Sequence, residues 1–328
     1  MQFRTEVFTD KFDTSINYKG KYLFIGSCFT ENIGNKLNQL KFNALINPFG
    51  VLYNPVSVKK SIDLLIEKKL FNESMLEFYN EKWFSFYHHS KFSSSDKNEA
   101  LKLINNGIDK AHLFLKESKI LFITFGTSWV YKLKKENKFV SNCHKLPSKL
   151  FEHLFLDKET IVKEYKVLIN SLLRFNPALK IIFTVSPIRH WKDGAINNQL
   201  SKSNLIVAIH ELVKSYENVN YFPAYEIMMD DLRDYRYYSD DLLHLNNQAI
   251  NYIWQKFIDS FIEKETLLIS KEVEKFISAK NHVPFYPKSE AYKKFVADNL
   301  RKINEFMSIN TNIDLKSEKE YFENVLNH

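Results

Sequence analysis

The sequence predicts an α/β protein with a mostly parallel sheet covered by helices on both faces. Short apolar runs recur at 22–25, 120–125 and 180–185, with a weaker one around 219–222. Between them, stretches near 55–68, 98–116, 157–174 and 199–216 repeat apolar residues at helical spacing. Strands without polar alternation are buried on both faces, and strands separated by helices pair in parallel.

The first run, YLFI, ends at Gly26, where the chain is expected to turn sharply into a helix-like stretch after Ser27. The second, ILFITF, ends at Gly126, and the third, KIIFTV, at Ser186. Ligands of parallel sheets bind beyond the carboxyl ends of the strands, so Ser27, Gly126 and Ser186 are expected around one crevice. Ser93-Ser94-Ser95-Asp96 reads as a loop and helix start, with Ser95 or Asp96 as the cap. Late in the chain Ala249, Ile250, Ile253, Trp254, Phe257, Ile258 and Phe261 fall on one helical face, which predicts a last helix packed against the sheet. From about 263 onward the pattern is one of polar helices broken at Pro284 and Pro287. The expected division is therefore an α/β domain over 1–262 and a helical extension over 263–328 packed on or near it, serving as lid, dimer surface or tail.

Composition narrows the class. Of 328 residues, 45% are hydrophobic and 26% charged, as in ordinary globular proteins. Aromatic residues reach 15% while glycines number only 7, so the glycines are expected where the backbone needs them. The net charge of +7 comes from scattered lysines rather than a basic stripe, which argues against nucleic acid as the partner. The opening MQFRTEVFTD lacks a signal-peptide apolar core and no run approaches the length of a membrane span, so a cytoplasmic protein without membrane insertion is expected. Cys28 and Cys143 are expected as reduced thiols.

Ser27 gains meaning from Asp241-Leu242-Leu243-His244. A serine alcohol is a weak nucleophile until a base takes its proton, and an Asp-x-x-His supplies imidazole and carboxylate from one loop or helix start. Singly, Ser27 is also a helix cap and Asp241 a capping residue beside a surface histidine. The elbow G-x-S-x-G is missing: Gly126-Thr127-Ser128-Trp129-Val130 lacks its final glycine. Cys28 is the competing nucleophile, since a helix N-terminus lowers a thiol pKa; consecutive residues at such a turn point different ways, so only one faces the crevice. In Asn142-Cys143-His144-Lys145, His144 is a candidate substrate ligand or alternative base, or else part of a hydrogen-bonded loop. Arg189 is a candidate ligand for a substrate carboxylate or phosphate, or an ion-pair partner for the acids of 230–234. Histidines 88, 89, 144, 190 and 244 match no metal-binding spacing, so no metal and no cofactor are expected.

These motifs have a collective likeness. GSCF with Glu31-Asn32-Ile33-Gly34, then Asn47-Pro48-Phe49-Gly50, Asn142-Cys143-His144-Lys145 and Ser186-Pro187-Ile188-Arg189-His190 come first. Tyr225-Glu226-Ile227, Asp234-Tyr235-Arg236 and Asp241-x-x-His244 follow; together they resemble the GSCFA domain family over roughly residues 20–260. That family resembles a branch of the SGNH (GDSL-like) hydrolase superfamily. The resemblance implies a three-layer α/β/α, flavodoxin-like fold, with Ser27 as nucleophile, His244 as general base and Asp241 as its orienter. It also implies oxyanion donors from the Ser27 N–H and from Gly50. The third motif block departs from the pattern, because Gly126-Thr127-Ser128-Trp129 contains no asparagine; Thr127 or Asn142 would have to supply that donor. Thr30 stands where the family name has alanine, and Leu245 where a proline would follow the histidine. The implied activity is that of a serine esterase or O-acyltransferase on a small ester, such as an acetylated carbohydrate. The alternative is a binding or scaffold protein that keeps the fold without turnover.

Overall fold

A computed structural model describes residues 5–327. Ten strands occur among them: β1 (Lys21–Gly26), β2 (Asn43–Ile46), β3 (Glu77–Tyr79), β4 (Lys82–Phe84), β5 (Ile120–Phe125), β6 (Trp129–Leu133), β7 (Lys138–Val140), β8 (Phe151–Phe155), β9 (Lys180–Val185) and β10 (Val219–Tyr221). The helices are α1 (Cys28–Gln39), α2 (Pro55–Ile66), α3 (Lys97–Lys116), α4 (Lys158–Phe175), α5 (Gly194–Ser215), the short α6 (Ala224–Glu226) and α7 (Asn247–Phe261). Three more close the chain: α8 (Lys264–Lys280), α9 (Glu290–Ile309) and α10 (Lys316–Asn327).

Five strands form the central sheet in the order β10-β9-β5-β1-β2. Counted by sheet strands alone this is the flavodoxin-like order 2-1-3-4-5, with the reversal between β1 and β5. Parallel ladders join β1 to β5, β5 to β9 and β9 to β10, with Leu23, Leu121 and Ile181 in one row and Phe24, Phe122 and Ile182 in the next. Successive rows face opposite sides, as the strand period of two requires. Leu23, Ile25, Leu121, Ile123, Ile181 and Phe183 join a large core that includes buried residues of α2, α3, α4 and α5. Phe24 and Phe122 stack on the other face with ring centroids 4.4 Å apart, and Phe257 of α7 meets Phe122 at 5.4 Å. The expected α/β architecture with helices on both faces is thus observed.

Local sequence explains the boundaries. Asp96 is the cap of α3, its carboxylate accepting the Glu99 N–H at 2.7 Å. Asn54 caps α2 ahead of Pro55, whose missing N–H costs nothing at a first helical position. The sequence pattern did not reveal two short antiparallel sheets, β3-β4 and β7-β6-β8, in segments to which no element had been assigned. Their strands are only three to five residues long and expose one face, which leaves little periodicity to read.

The chain divides into two compact units, one of residues 1–10, 21–35 and 44–258 and one of residues 11–20, 36–43 and 259–328. The second has its own apolar core, in which Val273, Phe276, Val296, Ile303, Leu315 and Phe322 are buried. Its buried Glu318 carboxylate meets Lys41 at 2.9 Å and Lys280 at 3.6 Å. Pro284 and Pro287 lie in the break between α8 and α9, as the sequence predicts. Among the described residues no helix is long and apolar enough to cross a membrane.

Candidate active site

The site is built on Gly26. Its φ of 148° is a conformation for glycine, and a Cβ there would lie 2.2 Å from the Thr124 carbonyl oxygen of the adjacent strand. The loop after β2 clasps the same residue from both sides: the Gly26 N–H donates to Asn47 Oδ1 at 2.9 Å, and the Leu52 N–H donates to the Gly26 carbonyl at 2.9 Å. Farther along that loop, the Tyr53 carbonyl accepts the N–H groups of Gly126 at 2.7 Å and Thr127 at 3.0 Å. Segment 47–53 is therefore tied to the carboxyl ends of both β1 and β5, where the strand order reverses.

Ser27 and Cys28 leave this turn in different environments. Ser27 is 1% exposed, and among the described residues its Oγ has no hydrogen-bond partner. Cys28 opens α1 and is half-buried. Burial pushes its thiol pKa up, while the N–H groups of Cys28 and Phe29 at the helix N-terminus pull it down; Glu31 adds to the rise and Lys202 opposes it.

The expected pair of Asp241 and His244 is assembled. His244 Nδ1 lies 2.5 Å from Asp241 Oδ2, and Asp241 Oδ1 accepts the N–H groups of Leu243 and His244, each at 2.9 Å. Those bonds, led by the His244 N–H, hold the Asp241 carboxyl down at about 2. Leu242 takes a left-handed φ of 58° to make the tight loop. With Nδ1 protonated toward the carboxylate, Nε2 is the basic nitrogen. Leu242 also lines a cavity of about 230 Å³ together with Arg189, Asp234 and Tyr238. Arg189 is paired with none of the acids of 230–234 among the described residues: Asp230 is bound by Arg233 and Asp234 by Arg236. Its guanidinium instead lies over the Trp191 ring, 4.8 Å from the centroid.

The remaining candidates have structural partners. The N–H of Ser27 donates to Thr124 at 3.1 Å and that of Gly50 to the Asn47 carbonyl at 2.7 Å, so both expected oxyanion donors are already engaged. Thr127 is buried, its Oγ1 3.1 Å from Ser201 Oγ and accepting the Trp129 N–H. Asn142 Oδ1 accepts the His144 N–H at 2.9 Å, and His144 Nε2 sits 3.0 Å from the Ser85 carbonyl with its ring stacked on Phe84. Asn142 and His144 thus make the hydrogen-bonded loop that was the alternative reading of this motif. Burial holds the His144 pKa down at about 4, which keeps its imidazole neutral.

One residue was not anticipated. Lys202 of α5 is fully buried, and its Nζ donates to the carbonyls of Gly126 at 2.8 Å and Ser186 at 2.7 Å, bridging the exits of β5 and β9. Burial pushes its ammonium down to about 7. The sequence did carry a signal: Asn198, Ser201, Lys202, Leu205, Ala208, Ile209 and Leu212 share the buried face of α5, and a lysine in such a stripe needs internal partners.

Comparison with known proteins gives a family. A family model described as the GSCFA family matches residues 21–257, and one described as the GSCFA domain protein, C-terminal domain, matches residues 273–328. No curated protein matches the sequence. Among solved structures, a carbohydrate esterase family 3 from Talaromyces cellulolyticus is similar at 8% identity and a TM-score of 0.37, over 77% of this chain and 99% of that one. A Clostridium thermocellum family 3 carbohydrate esterase is similar at 11% identity and a TM-score of 0.34, over 77% and 98% of the respective chains.

Proposed function

The chain belongs to the GSCFA family, and on that premise we propose that it is an acyl-transfer enzyme of SGNH type, cleaving or transferring the acyl group of a small ester such as an acetylated carbohydrate. The observation that carries this reading is the Asp241–His244 pair, a carboxylate fixed by two backbone N–H groups and 2.5 Å from the imidazole it orients. Such a pair is an oriented base awaiting a nucleophile.

We assign the nucleophile to Cys28 rather than Ser27. The Ser27 hydroxyl is buried and has no partner among the described residues, whereas Cys28 is only partly buried at the start of α1, with the N–H groups of Cys28 and Phe29 acting on its sulfur. His244 Nε2 takes the thiol proton as the sulfur attacks the ester carbonyl. Negative charge developing on the carbonyl oxygen falls near the helix N-terminus, where the N–H groups of Cys28 and Phe29 stabilise it. The tetrahedral intermediate expels the alcohol, which receives the proton from His244 and leaves a thioester on Cys28. Water or an acceptor alcohol, deprotonated by His244, then releases the acyl group.

A second reading, a binding protein without turnover, draws on the engaged N–H groups of Ser27 and Gly50. A screen of short to long acyl esters with the wild-type protein and its Cys28→Ala variant separates the two. Hydrolysis of an acetyl ester that the variant loses is the expected result; no turnover of any ester, with saturable ligand binding intact, would leave the binding reading standing.

A further inference from the structure

The cavity beside the Asp241–His244 loop carries a charge that nothing in its wall answers. Its lining includes Arg189, Tyr235, Tyr238 and Leu242, over an apolar floor in which Met228 and Leu232 are buried. Two further charged residues line it, and both are already neutralised: Arg233 holds Asp230 at 2.7 Å, and Asp234 is held by Arg236 at 2.8 Å. Arg189 differs from them. Among the described residues it forms no ion pair, and its Nε is buried with no hydrogen-bond partner. A guanidinium has five donors and keeps its proton, so a buried donor without an acceptor is costly until a ligand supplies one. The side chain is also held in advance. The Ile188 N–H donates to Ser186 Oγ at 3.3 Å and the His190 N–H to Asn198 Oδ1 at 2.8 Å, which pins the backbone on both sides of the arginine. Its guanidinium stands over the Trp191 ring, 4.8 Å from the centroid, and a cation fixed before its ligand arrives costs less ordering on binding.

We propose that this cavity receives an anionic group of the substrate, a carboxylate or a phosphate, and that Arg189 binds it and so determines specificity. The inference rests on the Asp241–His244 pair being the base of an acyl-transfer site. One tight loop connects the two. Tyr238 pairs with Leu245 in an isolated bridge, the Leu242 N–H donates to the Ser239 carbonyl at 2.9 Å, and the Ser239 N–H donates to the His244 carbonyl at 2.8 Å. Part of the cavity wall and the imidazole are therefore carried by the same few residues, and an anion held by Arg189 fixes the rest of the substrate relative to His244. The volume, about 230 Å³, is below the roughly 300–1,000 Å³ of ordinary ligand pockets, which suits one anionic group and the ring that bears it rather than a polymer. Tyr235 and Tyr238, with ring centroids 6.0 Å apart, supply apolar faces on which such a ring packs.

The test reads binding first, without turnover, by titration calorimetry with glucose, glucuronate and glucose 6-phosphate, which differ only in the group on the terminal carbon. At least one of the two anions is expected to bind the wild-type protein about tenfold or more tightly than glucose, and which of them does so identifies carboxylate or phosphate as the group. Arg189→Gln is expected to abolish that difference. Arg233→Gln, which removes a cation already paired with Asp230, is expected to weaken anion binding less than threefold; equal losses in the two variants would mean a general field and overturn the proposal. So would equal affinities of the three sugars for the wild-type protein, or an anion preference that survives Arg189→Gln. Should Arg189→Gln not fold, Arg189→Lys carries the comparison: an ammonium lacks the planar fork, so anion affinity is expected to fall about fivefold, and wild-type affinity would overturn the proposal. Turnover is then followed with the O-acetylated forms of the same sugars. The ratio of kcat/KM for the preferred anion over glucose is expected to be about ten or more in the wild-type protein and near one in Arg189→Gln. Anion binding that depends on Arg189, in a protein that turns over no ester, would leave the anion site standing and remove the acyl-transfer reading; turnover with no preference among the three would do the reverse.

Discussion

Lys202 donates from Nζ to the Gly126 carbonyl at 2.8 Å, tying the buried face of α5 to the exit of β5. The bond places a titratable cation at the carboxyl edge of the sheet, where a loop of few glycines and many backbone hydrogen bonds already fixes the turn between β1 and α1.

The two residues of that turn should separate cleanly in activity. Cys28→Ala is expected to lower kcat for the responsive ester by about a thousandfold or more, as loss of a nucleophile does. Ser27→Ala is expected to stay within about fivefold of wild type, because it removes a buried hydroxyl with no partner. Thiol-directed and fluorophosphonate probes, applied to both variants, check the assignment by mass; fluorophosphonate labelling lost only in Ser27→Ala would return the role to the serine.

Asp241→Asn should leave the melting temperature unchanged, the residue being exposed, yet lower kcat about 10³- to 10⁴-fold by releasing the imidazole from its tautomer. The pH dependence follows from a depressed carboxyl. The contribution of Asp241 to loop order is fully present above the ordinary aspartate value of 3.8 and is lost as pH falls through about 2. Hydrogen exchange of the Leu243 and His244 amides should therefore stay protected at pH 4; early loss of protection would count against this reading.

Burial also makes the fold acid-sensitive. His88, stacked on Phe49, and His144 titrate at about 3 and about 4, held down from the ordinary value of 6.5 chiefly by desolvation. The unfolded chain takes up protons first, so their contribution is complete above pH 6.5 and is lost as pH falls toward the folded values. Urea midpoints are expected to drop between pH 6.5 and 4, and His88→Leu should flatten that drop. An unchanged slope in the variant would refute the assignment.

Two glycines with positive φ should behave differently. Gly26→Ala puts a methyl group 2.2 Å from a strand carbonyl and is expected to cost at least about 2 kcal/mol or to prevent folding. Gly194, with φ 79° and nothing within 4 Å of the added carbon, carries backbone strain alone, and its alanine variant should cost about 1 kcal/mol. Thermal melts of the two side by side check the order.

Much of this was legible before folding was considered. The long apolar strands and amphipathic helices declare themselves because burial on two faces, or on one stripe, leaves a period in the sequence. Asp241 and His244 were legible for a related reason: their spacing of three is local, and one tight loop satisfies it. The short strands from Glu77 to Phe155 were not, since pairs of three residues are stabilised by neighbours distant in the chain.

The sequence by itself determined where the chain turns out of its first strand, at Gly26-Ser27-Cys28, because the glycine, the preceding apolar run and the following helix are consecutive residues. Only the tertiary structure decided how deeply each of the two side chains is buried. Asn47, Leu52 and Thr124 hold the Gly26–Ser27 backbone from separate parts of the chain, and in that arrangement Ser27 is buried and Cys28 only partly so. The same holds for Lys202, whose partners, 16 and 76 residues away, are brought together by parallel strand pairing.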